Sequence, residues 1–250
     1  KDNTPAIVHI DLVHGDKIGI DIAAKGGGSE FKSKFKVLNP SDSVADWVEE
    51  MLPTMGAGWC PPGILGIGIG GTSEKAMILA KESLSEKINM QDIIKNGPQN
   101  ETEELRLEIF NRVNALGIGA QGLGGLTTVL DVKIHEYPTH AAGKPVGMIP
   151  NCAATRHVHF VLDGSGVVDL PAPKLEDWPV IQEDNKTEVK RINLDTVSKE
   201  EIQKLRSGEN ILLSGKMLTG RDAAHKRLKD MYDAGEEFPI DLKNKFIYYV

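Results

Sequence analysis

Cysteine is nearly absent: two residues, Cys60 and Cys152, stand in a chain of 250. Two thiols so far apart cannot staple a disulfide-framed secreted fold, and a reducing cytosol is the expected compartment. An excess of basic charge is also missing, since 29 Lys and Arg face 36 Asp and Glu for a net charge of −7. A protein that coats a nucleic-acid duplex neutralises phosphates with Lys and Arg, so nucleic acid is not an expected partner. The longest nearly uncharged stretch, Met51 to Thr72, is broken by Pro53, Pro61, Pro62 and repeated glycines, which excludes a spanning helix. There is no Cys-x-x-Cys pair to suggest a zinc ribbon, no Walker lysine-hydroxyl pair, no fixed-period repeat and no low-complexity run. The chain opens on Lys1-Asp2-Asn3 without an initiator Met or a signal-type apolar run and closes on Phe246-Ile247-Tyr248-Tyr249-Val250, so both ends read as cut.

What remains is a soluble α/β sequence with 26 glycines concentrated in loops of its first two thirds. Two β-branched runs, Ala6 to Val13 and Lys17 to Ala23, predict strands joined through Gly15-Asp16 as a hairpin. The run Lys25-Gly26-Gly27-Gly28-Ser29-Glu30 follows, where the backbone must take a positive φ or pass close to something else. Ser41 or Ser43 caps a helix through Trp47 and Leu52 that Pro53 stops. A strand over Ile64 to Gly71 leads into a helix from Thr72, and a further helix covers Glu101 to Leu116. Val129 to Tyr137 and Val158 to Leu162 read as strands. Beyond Leu170 the composition turns polar and proline-rich, which marks a connector over Pro171 to Asp195. Ser198 to Glu201 then has capping-box character, Ile211 to Gly215 restarts as strand, and Arg221 to Ala234 has helix character. The expected fold is α/β, with mixed sheets, helices and Gly-rich loops: a first domain over residues 1–172, a linker over 173–197 and the beginning of a second α/β domain over 198–250.

Several positions can carry chemistry. The glycines of Gly66-x-Gly68-x-Gly70-Gly71 suit either anion binding at a helix N-terminus or close packing of a strand against another layer. Cys60 in Gly58-Trp59-Cys60-Pro61-Pro62 and Cys152 in Ile149-Pro150-Asn151-Cys152 sit in Pro-bracketed segments that fix a sulfur's direction. They are either buried small hydrophobes or iron-sulfur ligands. His140, in Tyr137-Pro138-Thr139-His140, follows a strand beside small residues and is a candidate acid, base or carboxylate ligand as well as an ordinary cap. His157 and His159 alternate on a strand and read as structural. Arg221, after Gly220 at a strand-to-helix junction, either clamps a carboxylate or pairs with Asp222.

Taken together, these segments, with Gly117-Ile118-Gly119-Ala120-Gln121-Gly122 and Leu218-Thr219-Gly220-Arg221-Asp222-Ala223-Ala224-His225, resemble class I fumarate hydratase, the oxygen-sensitive hydro-lyase family that includes L-tartrate dehydratase. The resemblance covers nearly the whole chain. It implies reversible hydration of fumarate to L-malate, a step of the tricarboxylic acid cycle, on a [4Fe-4S] cluster held by three cysteines with one iron open as Lewis acid. By similarity Cys60 and Cys152 match two cluster ligands, His140 touches substrate or moves a proton, Gly26 and Ser29 belong to a substrate loop, and Arg221 binds a substrate carboxylate. The chain departs from the family pattern at Phe31, where an Asn is usual. The third cysteine lies in a family segment preceding Lys1, and the base, a Thr, lies in one following Val250. The expectation is therefore a fragment, inactive alone, of a single-chain, cytoplasmic, homodimeric enzyme that fuses two halves some relatives make separately. L-tartrate dehydratase, a nucleotide- or anion-binding module on Gly66 to Gly71, and a non-catalytic scaffold are the alternatives.

Overall fold

A computed structural model describes residues 6–154, 156–170, 172, 174, 176, 189–206 and 208–249. Most of the connector expected over Pro171 to Asp195 therefore lies outside the described residues. The chain divides into two compact units, residues 1–174 and 175–250. Both are α/β.

In the first unit β1 (Ile18–Ala23) leads through Lys25 and Gly26 into a single turn of helix, α1 (Gly27–Glu30), and then β2 (Lys34–Leu38). The expected hairpin is absent: residues 6–12 are irregular and exposed. Gly15 sits at φ 128°, outside the range a two-residue hairpin turn uses, so the chain opens there. β1 pairs instead, residue for residue and antiparallel, with the distant β6 (His157–Leu162), where His159 Nδ1 lies 2.8 Å from Asp21 Oδ1. That contact accounts for His159 as a surface cross-strand partner.

Helix α2 (Val44–Met51) starts where Ser43 Oγ accepts the Asp46 amide at 3.1 Å. Pro53 does not stop the coiling; it opens a 3-10 stretch, Leu52–Trp59, kinked at Gly56. Next come β3 (Gly63–Gly70), α3 (Ser73–Ser83), α4 (Met90–Asn96), α5 (Glu101–Ala115), β4 (Val129–Tyr137) and β5 (Lys144–Cys152). The main sheet has the order β2-β5-β3-β4, with β4 parallel to β3 and β5 antiparallel to both its neighbours.

The alternation of β3 explains the layers. Leu65 and Ile67 face a core shared with Trp47, Leu52, Ile109 and Val113 of the 3-10 stretch, α2 and α5. Gly66 and Gly68 face α3, where a Cβ at Gly68 would overlap the Ala76 carbonyl. These glycines let helix and strand backbones touch, so close packing is the reading that holds for this half of the run.

At the edge strand β4, Asp131, Lys133 and Arg106 are buried together. Asp131 Oδ2 accepts the Asn89 and Met90 amides at 2.8 and 3.2 Å, which caps α4. Arg106 reaches the Asp131 carboxylate at 3.1 Å and the Val132 carbonyl at 2.6 Å, and Lys133 Nζ lies 3.1 Å from Asp131. Burial pushes the Lys133 ammonium down from its ordinary value, and Asp131 partly restores it.

In the second unit β7 (Lys190–Asn193) pairs in parallel with β8 (Ile211–Ser214), and β9 (Leu218–Gly220) with β10 (Ile247–Tyr249). Helix α6 (Lys199–Gln203) carries the expected capping box between Ser198 and Glu201, and α7 (Asp222–Asp233) follows β9. Leu212, Leu213, Phe238 and Ile240 of this unit are exposed, whereas Ile192 and Leu194 are buried. Among the described residues no helix is long and apolar enough to cross a membrane.

Candidate active site

The 3-10 stretch delivers Trp59 into the core and turns out at Cys60, which takes the left-handed conformation with φ 60° and ψ 60°. A side chain there costs about 1 kcal/mol relative to glycine, a cost met by local contacts: the Cys60 amide donates to the Ala57 carbonyl at 2.9 Å. The Gln121 amide donates to the Pro61 carbonyl at 2.7 Å, so the Gly117 to Gly125 loop closes over the same turn. Pro61 and Pro62 feed the chain into β3 at Gly63, whose antiparallel partner on β5 is Cys152. Both thiols, each free and half-buried, thus stand at one end of the sheet. Cys152 is the last residue of a strand, not a loop residue as its flanking Pro150 suggests.

The glycine turn reaches the same end. α1 packs on β5 and on the 3-10 stretch, and a Cβ at Gly28 would come within 2.6 Å of the Gly58 carbonyl. Ser29 is buried, and its hydroxyl donates to the Gly26 carbonyl while accepting from Lys25 Nζ, each at 3.1 Å. With its proton committed, Ser29 holds the turn in shape and leaves Gly26, Gly27 and Gly28 as the exposed surface. Glu30 pairs with Lys25 at 3.1 Å and, more closely, with Lys81 of α3. Burial opposes the charge on Glu30, but the two lysines outweigh it and hold the carboxyl below its ordinary range. Burial pushes Lys25 down, against the attraction of Glu30, and a thiolate at Cys152 would add to that attraction. Lys25 and Lys81 carry no motif signal except the position of Lys25 beside the glycines. Sequence reasoning missed both.

His140 is elsewhere. It follows Tyr137, which pairs with Gly70 at the far end of β3, so at about 3.3 Å per residue it stands roughly 25 Å from the thiols. Its ring is exposed, and Nδ1 accepts the Ala142 amide at 3.0 Å. It borders a cleft of about 510 Å³ with Gly71, Thr72, Lys75 and Tyr137. Arg221 belongs to the second unit, where it precedes α7 with a largely exposed guanidinium whose Nε is 4.0 Å from Asp222 Oδ2. That loose contact leaves its donors available. Among the described residues no three His, Cys, Asp or Glu side chains group closely enough to hold a metal ion.

The corner can still serve as part of a cluster site. Two soft thiol donors share one sheet end, and neither is committed to a disulfide. Thiolates suit an iron-sulfur group, and Cys60 and Cys152 would supply two of its ligands.

A family model described as Fumarate hydratase (Fumerase) matches residues 1–161, and one described as Fumarase C-terminus matches residues 164–250. The chain is 30% identical over 264 residues to "Fumarate hydratase class I, anaerobic" of Escherichia coli K12, covering 99% of this chain and 47% of that protein. It is 30% identical over 265 residues to the aerobic class I enzyme of Salmonella typhimurium, covering 99% of this chain and 45% of that one. Over 158 residues it is 40% identical to the chain assigned as L(+)-tartrate dehydratase subunit alpha in Methanocaldococcus jannaschii, covering 62% of this chain and 54% of that one. The chain spans about half the length of the full fumarate hydratases it matches. With both of its units matched in order by the two family models, the chain belongs to the class I fumarate hydratase family.

Proposed function

We propose that this chain is part of an iron-sulfur hydro-lyase that interconverts fumarate and L-malate. The observation that carries the reading is the meeting of Cys60, Cys152 and the Gly26 to Ser29 turn at one end of the sheet. Cys60 and Cys152 would hold two corners of a [4Fe-4S] cluster, and when bound the group supplies an open iron as a Lewis acid. The protein's own part is binding, orientation and proton placement. The Gly26 to Gly28 backbone offers a surface on which a carboxylate can sit, with Ser29 locking its shape. Lys32, whose side chain reaches Gly58 next to this surface, adds a cation that can attract a dicarboxylate. In the second unit, Arg221 carries an exposed guanidinium fork of the kind that binds carboxylates.

His140 enters this reading through a homodimer. Because Nδ1 accepts the Ala142 amide, the neutral ring carries its proton on Nε2 and presents it outward as a donor. At the far end of β3 it cannot serve the cysteine corner of its own unit, so a second copy brings it. Mixing two inactive variants, Cys60→Ser and His140→Asn, tests this in the cluster-loaded full gene product. Shared sites predict that the mixture recovers about a quarter of wild-type turnover, because one pairing in a mixed dimer restores a whole site. A mixture as inert as its parents contradicts the arrangement.

A second reading rests on the higher identity to the tartrate dehydratase subunit, 40% over 158 residues. L-tartrate differs from L-malate by one hydroxyl, so the two share carboxylate contacts. Measuring kcat/KM for both substrates on one preparation separates them: a preference for malate of about tenfold or more supports the main reading, and the reverse supports tartrate.

A further inference from the structure

The Glu30 carboxylate lies at the centre of a chain of contacts that the cysteine and glycine roles leave unused. It bonds Lys81 on α3 and pairs with Lys25, and Lys25 in turn donates to Ser29, whose hydroxyl closes on the Gly26 carbonyl. The anchor of this chain is rigid. Helix α3 lies with Ala76 and Ala80 directly against Gly66 and Gly68 of the central strand, where nothing larger than hydrogen fits. The far end is soft: α1 is a single turn with glycine at its cap and at its first two positions, and a short helix has little stability of its own.

From this we infer that Glu30 is a positioning residue for the substrate turn. Gripped between Lys81 and Lys25, it transmits the fixed position of α3 to the Gly26 to Ser29 backbone and holds Gly28 against the Gly58 carbonyl beside Cys60. The inference rests on the hydro-lyase reading for the identity of the ligand, a dicarboxylate, and on geometry alone for the tie itself.

An exposed ion pair usually contributes little, but this one is not isolated. The Lys25 side chain is 13% exposed and has a second acceptor in Ser29, and one carboxylate bridges two cations from different elements. Removing the carboxylate charge would leave both ammonium groups close together with no anion between them. The turn would then drift from the cysteine loop while the cysteines themselves stay where the sheet puts them.

The test uses the full gene product loaded with iron and sulfide, in three variants. Glu30→Gln keeps the shape and removes the charge, Lys81→Met removes the anchor, and Lys81→Arg keeps a cation. Amide hydrogen exchange at Glu30, Phe31 and Lys32 should quicken about tenfold in the first two and stay at the wild-type rate in Lys81→Arg. KM for L-malate should rise about five- to tenfold in the same two variants, with kcat within about threefold and iron per chain unchanged. Unchanged exchange in both overturns the inference, as does a loss of kcat or iron in place of a rise in KM. If the wild type holds iron and is inert towards malate while exchange responds as described, the hydro-lyase reading fails and the tie between Glu30 and the turn stands.

Discussion

Cys60→Ser and Cys152→Ser, each made in the full gene product and reconstituted with iron and sulfide without oxygen, are expected to lose bound iron and to lower malate turnover by about 1,000-fold or more. Serine nearly preserves the volume of cysteine, so the fold around Trp59 and β5 has no reason to change. What it lacks is a soft, readily ionised sulfur, and a hard hydroxyl is a poor ligand for cluster iron. Loss of a supporting contact around a metal commonly costs 10- to 100-fold, and loss of a ligand should cost more. Circular dichroism and the thermal midpoint of the metal-free protein should match the wild type, which separates a ligand effect from unfolding. Full iron content and activity in both variants would remove the cysteine corner from the site.

The second large effect is on stability. Replacing Asp131 by alanine should destabilise the first unit by about 3–5 kcal/mol, because it leaves Arg106 and Lys133 buried without their anion. It also strips the Asn89 and Met90 amides of their acceptor at the start of α4. Adding Lys133→Met should recover part of the loss, since one of the two stranded cations is then gone. Trp47 and Trp59 both lie in the core of this unit, so urea unfolding followed by tryptophan fluorescence reports on it. A shift below about 1 kcal/mol would mean that water or a neighbouring group takes over the role of the carboxylate.

Much of this architecture was legible before the structure, and the exceptions have physical causes. β4 and α5 were visible because their apolar periodicity is uninterrupted, and α6 because Ser198 and Glu201 form a local box that needs no tertiary partner. β5 was hidden: Pro145, Gly147 and Pro150 look like turn residues, yet they lie in a strand with neighbours on both sides. The residues pairing with those prolines are Val37 and Leu65, so the sheet accepts them where the ladder asks for no amide. Overlooking β5 also placed Cys152 in a loop. The first apolar run misled in the opposite direction, because strand-like alternation over residues 6–13 has no partner among the described residues and β1 found one about 140 positions away.

The site was legible in its parts and not in its assembly. Cys60, Cys152, Gly26 and Ser29 were each recognisable from their segments, but the pairing of Gly63 with Cys152 that gathers the two thiols is a matter of strand register, which spacing does not encode. The same register puts His140 at the other end of the sheet. Gly26 and Ser29 were expected in one substrate loop, and the structure adds that the buried Ser29 hydroxyl bonds the Gly26 carbonyl within that turn. Lys81 and Glu30, 51 positions apart, meet because the paired glycines of β3 bring α3 down onto the strand.

The central claim is that the cysteine corner and its glycine turn form the working end of a cluster-dependent hydro-lyase. The direct measurement is fumarate formation from L-malate by the full gene product, taken first without metal and again after anaerobic reconstitution with iron and sulfide. The account predicts turnover that appears on reconstitution, disappears on exposure to oxygen and never appears in Cys60→Ser. Turnover that is independent of iron, or a reconstituted protein that binds iron through Cys60 and Cys152 and converts neither malate nor tartrate, would contradict it.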